Sequence, residues 1–587
     1  MYLFLMTNGM IEGFEKENVM KKTTVLILSA VVTVLLGALG YYIFLPALNV
    51  FSQGFWVFLL ALTLIFAAAY FALSAPQTMK RLLGGGIATR SKKQTRGEMP
   101  RGITGKIILI IAAIPVAVLL VGNLISSTFL NATKYSNIIS VTEAVFEEDM
   151  PESDLVTNIP LMDSESANII GNRTLGALSE VVSQYQVNGT YSQINYGGVP
   201  RKVSNLEYVD FFKWINNRQS GIPGFVMVDP VNSSAEYIKF EVPMKYVDSA
   251  YFGDDLNRKL RFSYPTKIFG SCMFELDEAG KPYYIVSCME PQVGLFGGMD
   301  VTEVIIFNPC DGTSQLYALE ETPSWIDNVF TGTLASEKYD WYGTLKNGFW
   351  NSVIGNKDCK VTTDDYGYIV LGDDIWFFTG VTSVSSDESN IGFIISNART
   401  GEYKFYPVIG AEEYSAMGAA QGEVQEKDYV ASFPSLINVS GEATYIMVLK
   451  DANGIVKMHA LVNVENYSIV ATGVSQSDAK QAYVELLRQE GIIEAEDAPT
   501  VPEESVAEVK NLLVRDVQFI TVEGNSIIYI KGYDGNLYKQ KIAEDESLLF
   551  IQSSVSLDIR YHETETNGIR QIVSWNYHVY EEGEGKG

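Results

Sequence analysis

The run from Ile107 to Ile125 constrains this chain more than any other stretch. It is apolar almost throughout, carries no charge, and reaches the roughly 20 residues a helix needs to cross the hydrocarbon core of a bilayer. Two earlier runs, from about Thr23 to Leu45 and from about Phe55 to Ser74, have the same character. The Pro46–Gly54 connection is short and uncharged, which predicts a tight helical hairpin. The connection from Ala75 to Lys106 carries Lys80, Arg81, Arg90, Lys92, Lys93, Arg96, Arg101 and Lys106 against the single acid Glu98. Basic loops stay on the cytoplasmic side, and Lys21 and Lys22 agree with that assignment. The topology follows: N-terminus inside, hairpin tip outside, basic loop inside, and everything after Ser126 outside. Met20-Lys21-Lys22 before an apolar run also has the outline of a signal peptide. The run exceeds the usual signal core of roughly 7–15 residues and no small-residue cleavage site follows, so an uncleaved span is expected.

Charge divides the chain at the same place. Residues 1–127 hold 11 Lys/Arg and 4 Asp/Glu, and the rest holds 32 and 66, within an overall net charge of −27. Nucleic-acid binding needs clustered Lys and Arg against phosphate, so no nucleic-acid partner is expected for the acidic part. Cys272, Cys288, Cys310 and Cys359 show no Cys-x-x-Cys spacing, which removes the usual zinc-ribbon and thioredoxin-like patterns. His459, His562 and His578 are too scattered to build a multi-histidine metal centre. Neither a cofactor nor a metal is expected.

Beyond the third span, Val141 to Pro160 reads as an acidic entry segment. Asp163-Ser164 offers an N-cap for a helix to about Gln184, and a second helix is predicted over Asn205 to Asn217 from Tyr208, Phe211, Phe212 and Ile215 at helical spacing. From Gly224 a pattern recurs: an apolar run, an Asp or Asn turn, then another apolar run. Its copies centre on Asp229, Asn308, Asn397 and Glu465, and each reads as a β-hairpin because Asn, Asp and Gly supply turn conformations. Two have a further hairpin in front: Cys272 to Cys288, turning at Gly280, and Thr444 to Val456, turning at Asp451-Ala-Asn-Gly454. Pro265 and Pro434, which precede these, lie 169 residues apart, the mark of a duplicated unit. Ala411 to Val424 reads as a helix before the second unit.

The order helix, Pro-marked strand, Tyr-x-x-x-Leu-x-Asp-x-x-Gly, then a strand ending in an Asn/Glu turn resembles the PepSY family of small extracytoplasmic domains. The resemblance covers 411 to 473, and 264 to 319 more loosely. That family's usual Thr-Gly in the last turn is replaced here by Asn466-Tyr467-Ser468. The whole chain is also similar to an uncharacterised family of membrane-anchored proteins of Gram-positive bacteria. PepSY resemblance implies a domain that inhibits or chaperones a peptidase. Farther on, helices are predicted from Ser477 to about Gln489 and from Glu503 to Leu513. A Pro-marked linker covers Glu494 to Glu504, a small β domain runs from Val517 to Tyr580 with a turn at Gly532–Gly535, and the tail is expected to be disordered.

Three patterns have a chemical outline. Ser477-Asp-Ala-Lys480 has the Ser-x-x-Lys acyl-enzyme spacing but no companion motifs; Ser477 reads better as an N-cap. Tyr339 to Phe378 concentrates aromatics beside Asp364-Asp365 and Asp373-Asp374. Trp341, Tyr342, Trp350, Asp364 and Asp365 are the candidate binding residues, for a glycan or, at the Asp pairs, for calcium; core aromatics and solvated turns are the plainer readings. Asp451-Ala-Asn-Gly454 opens like a calcium loop, but Val462 stands where the closing Glu belongs. Cys272 and Cys288, opposed about Gly280, are a disulfide candidate.

The expectation is thus an α+β chain: three transmembrane helices followed by a multi-unit extracytoplasmic region of helices packed on antiparallel sheets. Its sections are 1–22 cytoplasmic, 23–125 membrane, 126–260 entry region, 261–410 and 411–490 the two PepSY-like units, and 491–587 the terminal part. The expected role is binding or regulating an envelope protein partner, a protease or secretion component, with the lipid bilayer as second partner and no enzyme activity. A glycan-active enzyme and a subunit of a membrane complex are the alternatives.

Overall fold

The computed structural model describes residues 22–74, 103–150, 152, 159–231, 233–363, 365–384, 386–493, 506–522, 525–542, 546–563 and 569–578. The basic loop, Asp364, the Pro-marked linker and the tail fall outside these. Helices α1 (Lys22–Phe44), α2 (Gln53–Ser74) and α3 (Ile103–Ile125) are each long and apolar enough to span a membrane, and α2 packs against both neighbours. After Ser126 and Ser127, α4 (Thr128–Ser136) begins; Asn131 Nδ2 donates to the Ile125 carbonyl at 2.7 Å and ties the two helices together.

Four helix-plus-sheet units follow, each using the turn pattern visible in the sequence. The first combines α5 (Ser164–Gly176) with β2 (Tyr185–Val187), β3 (Ser192–Tyr196), β4 (Val199–Tyr208), β5 (Ile222–Asp229) and β6 (Ser234–Met244), with α6 (Phe211–Asn217) between β4 and β5. The second is α7 (Leu256–Ser263) with β7 (Ile268–Leu276), β8 (Pro282–Val293), β9 (Gly297–Phe307) and β10 (Ser314–Ala318), a simple antiparallel meander. The third is α8 (Gly332–Leu345) with β11 (Lys360–Thr362), β12 (Gly367–Leu371), β13 (Asp374–Ser383), β14 (Ser386–Asn397) and β15 (Tyr403–Tyr406). It is joined by β1 (Val141–Glu143), which adds in parallel to β15, and by β16 (Gly410–Ala411). The fourth is α9 (Glu413–Glu423) with β17 (Val430–Ala431), β18 (Ser435–Val439), β19 (Glu442–Lys450), β20 (Val456–Asn463) and β21 (Val470–Gly473), followed by α10 (Gln476–Gln489). In every unit the last two strands meet at an Asx turn. Asp229, Asn308 and Asn397 each accept from the N–H two residues on at 2.9 Å, and Asn463 accepts from Asn466 at 2.8 Å.

The sheets pack in pairs, because each strand buries alternate side chains on one face. Phe225 and Val226 of the first sheet share a core with Phe274, Tyr284, Ile305 and Phe307 of the second. Trp376, Phe378 and Phe393 of the third share one with Leu436, Tyr445 and Met447 of the fourth. The outer faces are covered as well: Tyr339 of α8 packs on the third sheet and Tyr483 of α10 on the fourth. Residues 496–587 form a separate compact unit. It is a closed barrel ordered β22 (Val506–Val522), β23 (Asn525–Gly532), β24 (Leu537–Lys541), β26 (Ile569–Tyr577), β25 (Ser556–Glu563).

Four expectations need correction. The helix from Ser164 ends at Gly176, a separate turn covers Ser179–Val182, and Tyr185 starts a strand; Asp163 is the N-cap, accepting from Ser166 at 2.7 Å. Asn205 to Tyr208 belong to β4, paired with β2, and only Phe211–Asn217 is helical, capped by Asp210. The segment from Glu503 to Leu513 is a strand, not a helix, where it is described. A bulge between Val509 and Leu512, with Asn511 at φ +54°, stretches its apolar spacing from two to three and imitates helical periodicity. The disulfide register also fails. The Asp277 side chain takes the N–H groups of Ala279 and Lys281, each at 2.9 Å, and this closes the turn one residue earlier than assumed. Leu276 then faces Pro282 and Cys272 faces Val286, while a bulge sets Cys288 opposite Phe269. All four cysteines are free thiols.

Candidate functional site

The membrane helices and the sheet units meet at a built seat. Arg261, nearly buried on α7, donates from Nε to the Leu45 carbonyl at 3.0 Å and from Nη1 to Lys267 at 2.6 Å. Arg258 reaches the Tyr42 carbonyl at 3.3 Å with its guanidinium 4.2 Å from the ring centroid of Tyr42. The Leu48 N–H donates to the Pro265 carbonyl at 2.7 Å. The two arginine bonds to Tyr42 and Leu45 satisfy carbonyls that the C-terminal end of α1 leaves open. At the end of α3, buried Ser126 accepts the N–H groups of Leu295 and Phe296 at 2.8 and 2.9 Å. A Cβ on Gly122 would stand 2.3 Å from the Phe296 ring, so the glycine admits that contact. Pro265, read in the sequence as one of two prolines marking a duplicated unit, is therefore also a docking residue.

The candidate binding residues separate into different settings. Trp341 is half-buried and packs edge-on against Tyr135 of α4 at 5.0 Å. Trp350 is 64% exposed and lies beside Phe129 and Phe349. Asp365 is exposed and takes its own neighbour's N–H. Asp373 accepts from Asn195 at 2.8 Å, whereas Asp374 pairs with Arg399 and Asn397. The two adjacent acids therefore serve different partners. Among the described residues no cluster of three His, Cys, Asp or Glu could hold a metal.

Tyr342 lines a groove. It runs between α8, β1 and β11, has a volume of about 310 Å³, and is walled by Glu143, Tyr342, Lys346, Asp358, Lys360 and Phe405 among others. The groove is held open by close packing at its base, where a Cβ on Gly343 would fall 2.2 Å from the Lys360 carbonyl. Lys346 lies over Tyr342 and Lys360 over Phe405, at 5.5 and 4.4 Å from the ring centroids. Two acids, Glu143 and Asp358, and two lysines share this lining with Tyr339, Tyr342 and Phe405. Such a lining provides cation–π and ion-pair contacts.

The most perturbed acids were not singled out from the sequence. Glu275, fully buried on β7, accepts from Asp327 N at 3.0 Å and from Asn328 N and Nδ2 at 2.8 Å each. Asp327 accepts from Asn195 N at 2.7 Å, and Asn328 Nδ2 also donates to the Gln193 carbonyl at 2.7 Å. Burial pushes the Glu275 carboxyl well above the carboxylate range, and burial plus the neighbouring Glu275 does the same to Asp327. The network joins β3, β7 and the 326–330 loop, with Asn195 extending it to the β12–β13 turn. Its one sequence signal is a Glu between Phe274 and Leu276 in an apolar strand. Glu413, at the start of α9, is likewise pushed up to about 7 by burial and accepts from Gly380 N at 2.5 Å.

Ser477 is exposed at the second position of α10. The cap is Ser475, whose hydroxyl accepts from Asp478 N at 3.1 Å while Asp478 returns a bond to Ser475 N at 3.2 Å, a capping box. Asp451 forms a hairpin turn. No protein-family model matches this chain, and no curated protein matches it either.

Proposed function

We propose that this chain is a membrane-anchored binding or regulatory protein whose sheet units lie outside the cytoplasm and engage an envelope protein partner, such as a protease or secretion component. The groove beside Tyr342 carries the reading. Its volume of about 310 Å³ is at the small end for a ligand pocket and suits one or two side chains of a polypeptide. Its mixed charges and aromatic walls fit a peptide better than a neutral sugar chain. The PepSY-like order over 411 to 473 supports the same class. The seat on Leu45, Tyr42 and Ser126 holds the groove at a fixed attitude to the spans, as an anchored binding protein requires.

A photo-crosslinking residue at position 342 of the full chain, in its own membranes, tests this. A single crosslinked protein partner is expected, with the yield lost in Lys346→Glu/Lys360→Glu. Crosslinks that ignore both reversals would overturn the groove assignment. Turnover of cell-wall glycan by the purified full chain would replace the binding reading with the enzyme one.

A further inference from the structure

The seat leaves two apolar surfaces uncovered at the ends of the spans. On one side, the segment after α8 makes a single wide turn, Asn351–Gly355, with Trp350 64%, Val353 56% and Ile354 74% exposed. Phe129 stands against it, 5.9 Å from Trp350 and perpendicular to it. Phe129 is only four residues beyond Ile125, where α3 ends. On the other side, Phe262 of α7 is 53% exposed and packs 5.9 Å from Tyr41 of α1. Phe252 is 57% exposed, and its carbonyl accepts from Arg258, whose guanidinium covers Tyr42. One surface therefore sits against the last turn of α1 and the other against the first turn of the helix that follows α3, each fixed there by direct contacts.

We infer that these two surfaces, centred on Trp350/Ile354 and on Phe252/Phe262, enter the headgroup region of the bilayer that α1 to α3 cross. Aromatic side chains concentrate at this depth because an apolar body and a polar edge are both satisfied there. A short surface turn with Trp and Ile outward is an interfacial anchor of the kind that lies in the membrane plane. Continuity with the spans selects lipid over a protein: Phe262 packs on Tyr41 of a membrane-spanning helix, Trp350 packs on Phe129 just past the end of another, and lipid already surrounds those helices. Trp350, a glycan-binding candidate by sequence, becomes a lipid contact. The sheet units then rest on the bilayer at two points, one beside the end of α1 and one beyond the end of α3, and do not swing about the α3–α4 link.

The test uses the full chain in nanodiscs of phosphatidylcholine brominated on the upper acyl chain. The emission of Trp350 is isolated as the difference between wild type and Trp350→Phe, whose near-ultraviolet dichroism must match wild type. A blue-shifted difference spectrum that loses most of its intensity in the brominated lipid and resists acrylamide supports the inference. Quenching by acrylamide without bromine quenching would overturn it, and so would a blue shift that neither reagent affects, which would place a protein over the surface. Ile354→Trp in the Trp350→Phe background gives a second reading that must agree; disagreement also overturns it.

Discussion

Asp277 and Asp451 occupy the same place in two separate hairpins and make the same bonds. Each side chain accepts from the N–H groups two and four residues on, at 2.9 Å for Asp277 and at 2.9 and 3.0 Å for Asp451. Each backbone carbonyl accepts from the glycine three residues on, Gly280 or Gly454, at φ of +75° and +72°. The second and fourth units are thus alike in turn chemistry as well as strand order.

The paired turns predict a shared backbone cost with a difference set by their neighbours. Gly280→Ala and Gly454→Ala place a Cβ in the left-handed region, which costs about 1–2 kcal/mol each. Gly454→Ala should cost more, because its Cβ would stand 2.6 Å from Ile169. Denaturant unfolding of the two variants checks both the size and the order.

Ser475 and Ser477 should behave oppositely. Ser475→Ala removes the capping box and should destabilise by about 1 kcal/mol. Ser477→Ala, on the exposed face of the same turn, should leave both stability and any biological activity unchanged. Complementation by the two variants, with thermal unfolding, separates a cap from a nucleophile.

The carboxylate junction gives a pH dependence with a defined sign. Glu275, Asp327 and Glu413 are raised in the folded state, so the folded chain keeps protons that the unfolded chain has lost. Their favourable contribution is complete below the ordinary carboxylate range near about pH 4. It disappears as pH rises through the raised values, so stability should fall from about pH 5 to 8. Asp149 and Asp163, both lowered, act with the opposite sign below that window. Asp327→Asn should flatten the slope and raise stability relative to wild type at the alkaline end. Asn328→Ala strips bonds from Glu275 and Gln193 and should cost about 1–3 kcal/mol. Chemical unfolding at several pH values measures all of these.

Arg261→Ala should loosen the hairpin tip without unfolding the sheets. Its guanidinium bridges Leu45 to Lys267, and losing a charged hydrogen bond of this kind costs about 1.5–3 kcal/mol. Faster amide exchange at Leu48, with unchanged exchange in β19, is the expected pattern.

Much of this architecture was legible because it rests on local chemistry. Uniform apolar runs gave the three long helices, and Asp229, Asn308 and Asn397 gave the hairpins through side chains that bond their own turns. Asp163 showed as a cap for the same reason. What was hidden depends on partners distant in sequence. Glu275 receives its bonds from residues 52 and 53 positions away, and nothing in its own strand identifies them. Val506 to Leu513 misled because a bulge changes the period of a strand. Cys272 and Cys288 misled because the Asp277 side chain moved the turn and a second bulge moved the register. Among the described candidate binding residues Tyr342 lies in a groove, whereas Trp341 packs on Tyr135, because what an aromatic faces depends on elements distant in sequence.

The placement of the acidic sheet units on the outer side of the membrane underlies the whole account. Proteinase added to intact spheroplasts tests it directly. Digestion of the region after Ser126, with the loop from Ala75 to Lys106 spared until the membrane is opened, is the predicted result. Protection of the acidic region while that loop is cut would contradict it.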